Sequence, residues 1–170
     1  RLLRKSNATL LEWLRSPIIY TQDDDFTGRL NALAPQYVQA AALLHHYRGI
    51  AGNALRNMDL AHPVKLKKWF YVLRPLLAAR WAVKQGGIPP MTLAELMSEW
   101  QTDCVTQITD LVAIKVEQDE SYLHTLSPEL QRLTVDLYNE VSELSAPAAQ
   151  AADSGPLNEL FRETLAAVNG

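Results

Sequence analysis

The stretch Lys65-Leu66-Lys67-Lys68-Trp69-Phe70-Tyr71-Val72-Leu73-Arg74-Pro75-Leu76-Leu77-Ala78-Ala79-Arg80-Trp81 decides the fold, because helical spacing sorts it into an apolar face and a cationic one. Leu66, Trp69, Phe70, Leu73, Leu77 and Trp81 recur every three or four residues, the pattern of a helix packed on a core. Lys67, Tyr71, Arg74 and Ala78 fall on a neighbouring stripe. That stripe turns two cations and a phenol the same way, an arrangement suited to a polyanion such as a nucleotide triphosphate or an RNA backbone. Pro75 lacks the N–H that would bond the carbonyl of Tyr71, so a kink is expected beside the stripe. The same pattern also fits an amphipathic helix whose Lys and Arg merely face water.

On the N-terminal side, Arg1-Leu2-Leu3-Arg4-Lys5 reads as the last turn of a helix, as in a piece of a longer protein. Asn7 can cap a short helix through Leu10, Leu11 and Leu14, which Ser16-Pro17 ends. Ile18-Ile19-Tyr20 is the only convincing strand-like run. Asp23, Asp24 and Asp25 open a helix at its positive end, a better account of three acids than a metal site, and that helix closes near Ala34-Pro35. A longer helix is predicted over 36–57, with Gly49 and Gly52 permitting close helix contact. His62-Pro63 is a stop and restart.

On the C-terminal side, Gly86 and Gly87 cap the cationic helix. Thr92-Leu93-Ala94-Glu95 is a capping box opening a helix to about Trp100. Further helices are predicted over 102–118, from Ser127-Pro128-Glu129 through Val141, and from Pro156 through Leu165. The Ala-, Ser- and Pro-rich stretch 145–155 reads as a loose linker. The sum is an all-α protein, a bundle of seven or eight helices. Residues 1–145 are expected to form a helical nucleotide- or substrate-binding domain, and 146–170 a linker and terminal helix packed on it. Trp13, Trp69, Trp81 and Trp100 are expected in the core.

At 170 residues and 48% hydrophobic, the chain can bury one sizeable core. No apolar run reaches the ~20 residues of a membrane span and no secretion signal is visible, which points to a cytoplasmic protein. Cys104 is the single cysteine, which excludes an internal disulfide and a multi-cysteine zinc site. The net charge of −3 conceals a division: residues 1–85 hold 13 Lys and Arg against 5 Asp and Glu, net +8, and residues 86–170 hold 3 against 14, net −11. The basic half suits an anionic partner, and the acidic half is either a solvated lobe or a counterpart that docks on it, within one chain or a homo-oligomer.

The segments Lys5-Ser6-Asn7-Ala8-Thr9-Leu10-Leu11-Glu12-Trp13-Leu14-Arg15-Ser16-Pro17-Ile18-Ile19-Tyr20 and Lys67-Lys68-Trp69-Phe70-Tyr71-Val72-Leu73-Arg74-Pro75-Leu76-Leu77-Ala78 resemble the part downstream of the catalytic core in bacterial predicted nucleotidyltransferases of the DNA polymerase beta superfamily, the group linked with RNA repair. The likeness covers about the first half of the chain well and the acidic half weakly. It implies transfer of a nucleoside monophosphate from a nucleoside triphosphate to an acceptor such as RNA, with two divalent ions, Mg in the parent protein, held by strand-borne carboxylates after a Gly-Ser motif. This chain has no Gly-Ser followed by paired acids on a strand. The resemblance therefore implies the helical, substrate-binding portion, with the N-terminal catalytic domain and its metal ligands elsewhere, and no metal bound by this portion alone.

On that resemblance Lys67, Lys68, Tyr71 and Arg74 form the nucleotide- or RNA-facing group. The lysines would meet phosphate charge, Arg74 would fork onto two phosphate oxygens, and Tyr71 would stack a base or bond a ribose. Tyr71 equally suits the edge of a core. A second group is His46 and Asn53, seven residues apart on one helix face and able to contact a base or sugar; a packing histidine bonded to a carbonyl is the alternative. The other reading of the whole chain is a non-catalytic helical RNA- or protein-binding module.

Overall fold

The computed structural model describes residues 1–98, 100, 102–147 and 152–169, the side chains of the last two excepted. Eight α-helices account for most of it: α1 (Ala8–Leu14), α2 (Asp24–Leu33), α3 (Ala40–Arg56), α4 (Leu66–Lys84), α5 (Leu93–Met97), α6 (Val105–Glu117), α7 (Pro128–Glu143) and α8 (Gly155–Asn169). Two 3₁₀ turns, Leu3–Lys5 and Ala34–Tyr37, flank α1 and α2. The protein is an all-α bundle, as the periodicity predicts. Among the described residues no helix is long and apolar enough to cross a membrane.

Side-chain caps start four of these helices. The side chains of Asn7, Asp23, Thr92 and Ser127 accept the backbone N–H of Leu10, Phe26, Glu95 and Leu130, at 2.9, 2.9, 3.2 and 3.3 Å. Gly86 and Gly87, at φ 73° and 84°, supply the left-handed backbone that ends the run after α4.

The centre of the bundle is α4, which packs chiefly on α3 and also on α5, α6 and α7. Its burial is nearly all-round: Val72, Leu76, Ala78, Ala79 and Ala82 are enclosed along with Leu66, Trp69, Phe70, Leu73 and Leu77. A clean two-faced helix is therefore not what forms. Ala78, expected on the cationic stripe, is inside, because neighbours stand on several sides of the helix. Pro75 is buried too, and α4 runs through it as one helix. On the α7 side, the Trp69 indole donates to Thr134 Oγ1 (3.0 Å), which donates in turn to the Leu130 carbonyl (2.7 Å), so two buried polar groups satisfy each other. Tyr138 of α7 lies over Gly52 of α3, its hydroxyl 3.4 Å from where a Cβ would stand, whereas Gly49 faces open space.

Several boundaries differ from expectation. The long helix starts at Ala40, because Gln36 and Tyr37 belong to the 3₁₀ turn after α2, where buried Tyr37 donates to the Asp153 carbonyl. Helix α5 stops at Met97 rather than near Trp100, since both the N–H and the hydroxyl of Ser98 bond the Glu95 carbonyl (3.2 and 2.8 Å) that a further turn would use. Ile18-Ile19-Tyr20 is an exposed loop with no strand partner. Extended pairing occurs instead between β1 (Val64–Lys65) and β2 (Leu123–His124), antiparallel, with Val64 opposite His124 and Lys65 opposite Leu123. Trp13 is 69% exposed, outside the core that holds Trp69 and Trp100, and Trp81 is half-buried. Cys104 is buried as a small apolar residue. The linker expected over 145–155 lies partly outside the described residues.

Candidate anion-binding cleft

Helical spacing alone aligns Lys67, Tyr71 and Arg74 along α4, and the tertiary fold turns that line into a wall. Facing it stand Val112 and Lys115 of α6, Met91 of the connector into α5, Leu93 at the start of α5, and Glu120 of the turn between α6 and β2. Together they enclose a cleft of about 590 Å³. The β1–β2 ribbon sets the position of that turn: the N–H of Leu66, first residue of α4, donates to the Tyr122 carbonyl at 3.1 Å. Three cations and one carboxylate line the cleft, and Glu12 behind Arg74 offsets one more positive charge, so a smaller net positive charge is left to favour anions.

Of the three cations expected to meet phosphate, Lys67 and Arg74 line the cleft and are held differently. Lys67 Nζ meets Glu120 Oε1 at 3.1 Å, and the carboxylate is 80% exposed while the lysine side chain is 23% exposed. Arg74 Nη1 donates to Glu12 Oε1 at 3.1 Å and Arg74 Nε to the Met91 carbonyl at 3.3 Å, with Nη2 near Met91 Sδ. The Tyr47 hydroxyl donates to the same Glu12 oxygen at 3.2 Å. Burial, with Glu12 beside it, pushes the Tyr47 phenol well above its ordinary value, so it stays a donor. Two donors of the Arg74 fork are thus already taken by the protein. Arg74 serves as a clamp that joins α1 to α4, and with them the two segments, 5–20 and 67–78, that carry the family resemblance.

Tyr71, 64% exposed, presents its ring at the cleft. Lys68 is exposed and does not line it, because one residue along a helix turns the side chain by about 100°. His46 and Asn53 lie on α3 and are not among the cleft residues: His46 is half-buried with its ring edge-on to Tyr47 at 5.2 Å, and Asn53 is exposed. A larger groove of about 890 Å³, walled by Leu10, Phe26, Leu30 and Phe161, collects none of the predicted site residues. Sequence reasoning missed Glu12, Lys115 and Glu120. Glu12 is the one charged residue of α1 and Lys115 the one cation of α6, signals that single out both without saying what they face. Among the described residues, no three His, Cys, Asp or Glu side chains stand together to hold a metal ion. Asp23 is a helix cap and Asp25 pairs with Arg29.

Among curated proteins, the uncharacterized protein YcgL of Bacillus subtilis (strain 168) is 41% identical over 99 residues, which make up 58% of this chain and 38% of that protein. The matched stretch thus spans well under half the length of this relative. No solved structure matches. The model of the RNA repair pathway DNA polymerase beta family, RlaP, matches residues 1–163, through the acidic half as well as the basic one, and the chain belongs to that family.

Proposed function

We propose that this chain is the helical, substrate-binding portion of a nucleotidyltransferase that moves a nucleoside monophosphate from a nucleoside triphosphate to an acceptor hydroxyl, with RNA as the acceptor class. The observation that carries the reading is the cleft shared by Lys67, Tyr71, Arg74 and Lys115 in a chain of this family. Lys67 and Lys115 meet phosphate oxygens, Tyr71 stacks on the base, and Arg74 holds the cleft wall in place through Glu12. Lys68, on the outer surface next to the cleft, and His46 with Asn53, on α3, serve a longer acceptor that extends beyond it. The described residues offer no cluster of three His, Cys, Asp or Glu side chains for divalent ions. On this reading the metal-holding carboxylates belong to a catalytic domain outside these 170 residues.

Calorimetric titration with ATP, CTP, GTP and UTP tests the assignment. Binding should occur, and Lys67→Ala should weaken it about tenfold, the size of one lost charge-assisted contact. Tyr71→Ala should weaken nucleotides but spare inorganic tripolyphosphate. Triphosphate binding that ignores both substitutions, or no binding at all, overturns the reading. RNA binding with a steep salt dependence and no response to nucleotides would instead identify a helical RNA-binding module.

A further inference from the structure

We propose that Glu120 is the resident occupant of an anion subsite formed by Lys67 and Lys115, and that a phosphate group enters the cleft by displacing it; the proposal rests on the phosphate-binding reading above and specifies how that site is regulated. The two carboxylates near the cleft differ in what holds them. Glu12 accepts from Tyr47 and Arg74 together and is only 22% exposed. Glu120 has Lys67 as its one ion-pair partner among the described residues and stands out in water. Exposed ion pairs contribute little net stability, because water and salt compete for both charges. An anion bearing several charges has the advantage over a single carboxylate.

Backbone and side chain separate cleanly at this turn. Asp119 accepts from both the N–H and the hydroxyl of Ser121, each at 2.7 Å, and the Leu66 N–H to Tyr122 carbonyl bond ties the next residue to the start of α4. Between two anchored neighbours, Glu120 can release Lys67 by a change of rotamer alone. Lys115 arrives from α6 with its Nζ 5.4 Å from the centre of the Phe70 ring, which attracts the ammonium without neutralising it. No carboxylate pairs with Lys115 among the described residues. Once Glu120 swings away, the Lys67 and Lys115 ammonium groups face the same cleft with no carboxylate in direct contact among the described residues, Asp119 acting on Lys67 only through the longer-range field.

The test is calorimetric titration of the chain with sodium tripolyphosphate, using the wild type, Glu120→Gln, Lys115→Ala and the control Glu117→Gln, which removes an equal charge from the exposed end of α6. Glu120→Gln should tighten binding about three- to fivefold, the range that loss of an exposed competing ion pair allows. Lys115→Ala should weaken it, and Glu117→Gln should leave it close to wild type. Equal tightening by both Gln variants would overturn displacement in favour of a general field effect. Wild-type binding that Glu120→Gln leaves unchanged overturns the displacement alone and leaves the phosphate-binding reading standing. No binding by either removes both.

Discussion

Arg74–Glu12 and Lys67–Glu120 have the same 3.1 Å separation between nitrogen and oxygen, line or support the same cleft, and do opposite things. The first is enclosed, shares its carboxylate with Tyr47, and has its guanidinium seated on a carbonyl as well. The second is a single contact between a largely covered lysine and a carboxylate that stands in open water. Distance therefore says little about what an ion pair holds. Enclosure and the number of partners decide whether it fixes the structure or merely rests there.

Removing the enclosed carboxylate is the strongest way to break this contrast. Glu12→Ala leaves Arg74 and Tyr47 without their acceptor, and a cost of about 2–3 kcal/mol is expected. Urea unfolding measures it, and a melting temperature lower by about 2–4 °C per kcal/mol should accompany it for a chain of this size. A cost no greater than that of Glu120→Gln would erase the distinction.

Tyr47→Phe comes next, at about 1 kcal/mol near neutral pH for one lost hydrogen bond. The sign of its pH dependence is informative. A phenol whose folded value is raised gives stability that is whole below its unfolded value, about 10, and is lost as pH rises beyond it. Wild type should therefore lose stability above pH ~10 more steeply than Tyr47→Phe.

Glu140 supplies an intermediate case, since one of its oxygens receives both Arg80 and Lys84 at the edge of α4 and α7. Burial works to raise its carboxyl, but the hydrogen bonds from Lys84 and Arg80 outweigh that and hold it below the ordinary carboxylate value. A lowered folded value gives stability present above the unfolded carboxylate range and lost as pH falls through the folded one. Glu140→Gln should cost about 0.5–1 kcal/mol at pH 7, a discounted figure for a partly solvated group. Its deficit relative to wild type should close below pH ~4, read by urea unfolding across pH. At the bottom of the series, Glu120→Gln should change stability by less than about 0.5 kcal/mol while still altering tripolyphosphate binding.

How much of this could be read from residues alone follows from the range of the interactions. Asn7, Asp23, Thr92 and Ser127 are legible as caps because each bonds an amide three residues away. Lys67, Tyr71 and Arg74 are legible as a group because one helix carries them at a spacing that keeps them in line. What faces them is contributed by residues 12, 91, 115 and 120, and no periodicity in α4 contains that information. The same limit explains Ala78, which the spacing puts beside the cations and the packing puts inside. His46 and Asn53 share a helix by spacing, but α3 carries them away from the cleft. Trp13 shows the converse: size and hydrophobicity predict enclosure, yet the short α1 buries Ala8 and Leu11 and leaves the indole outside.

The two-residue β ribbon sets the tempo of the site. Because it splices the Glu120 turn to the first residue of α4, the anionic arm and the cationic arm cannot drift apart as loops do; they are hinged at a common foot. On the displacement proposal, opening the cleft is a side-chain event on the picosecond-to-nanosecond scale rather than a slow lid motion. Ligand should come and go without a conformational delay, and its arrival rate should be governed by diffusion and salt.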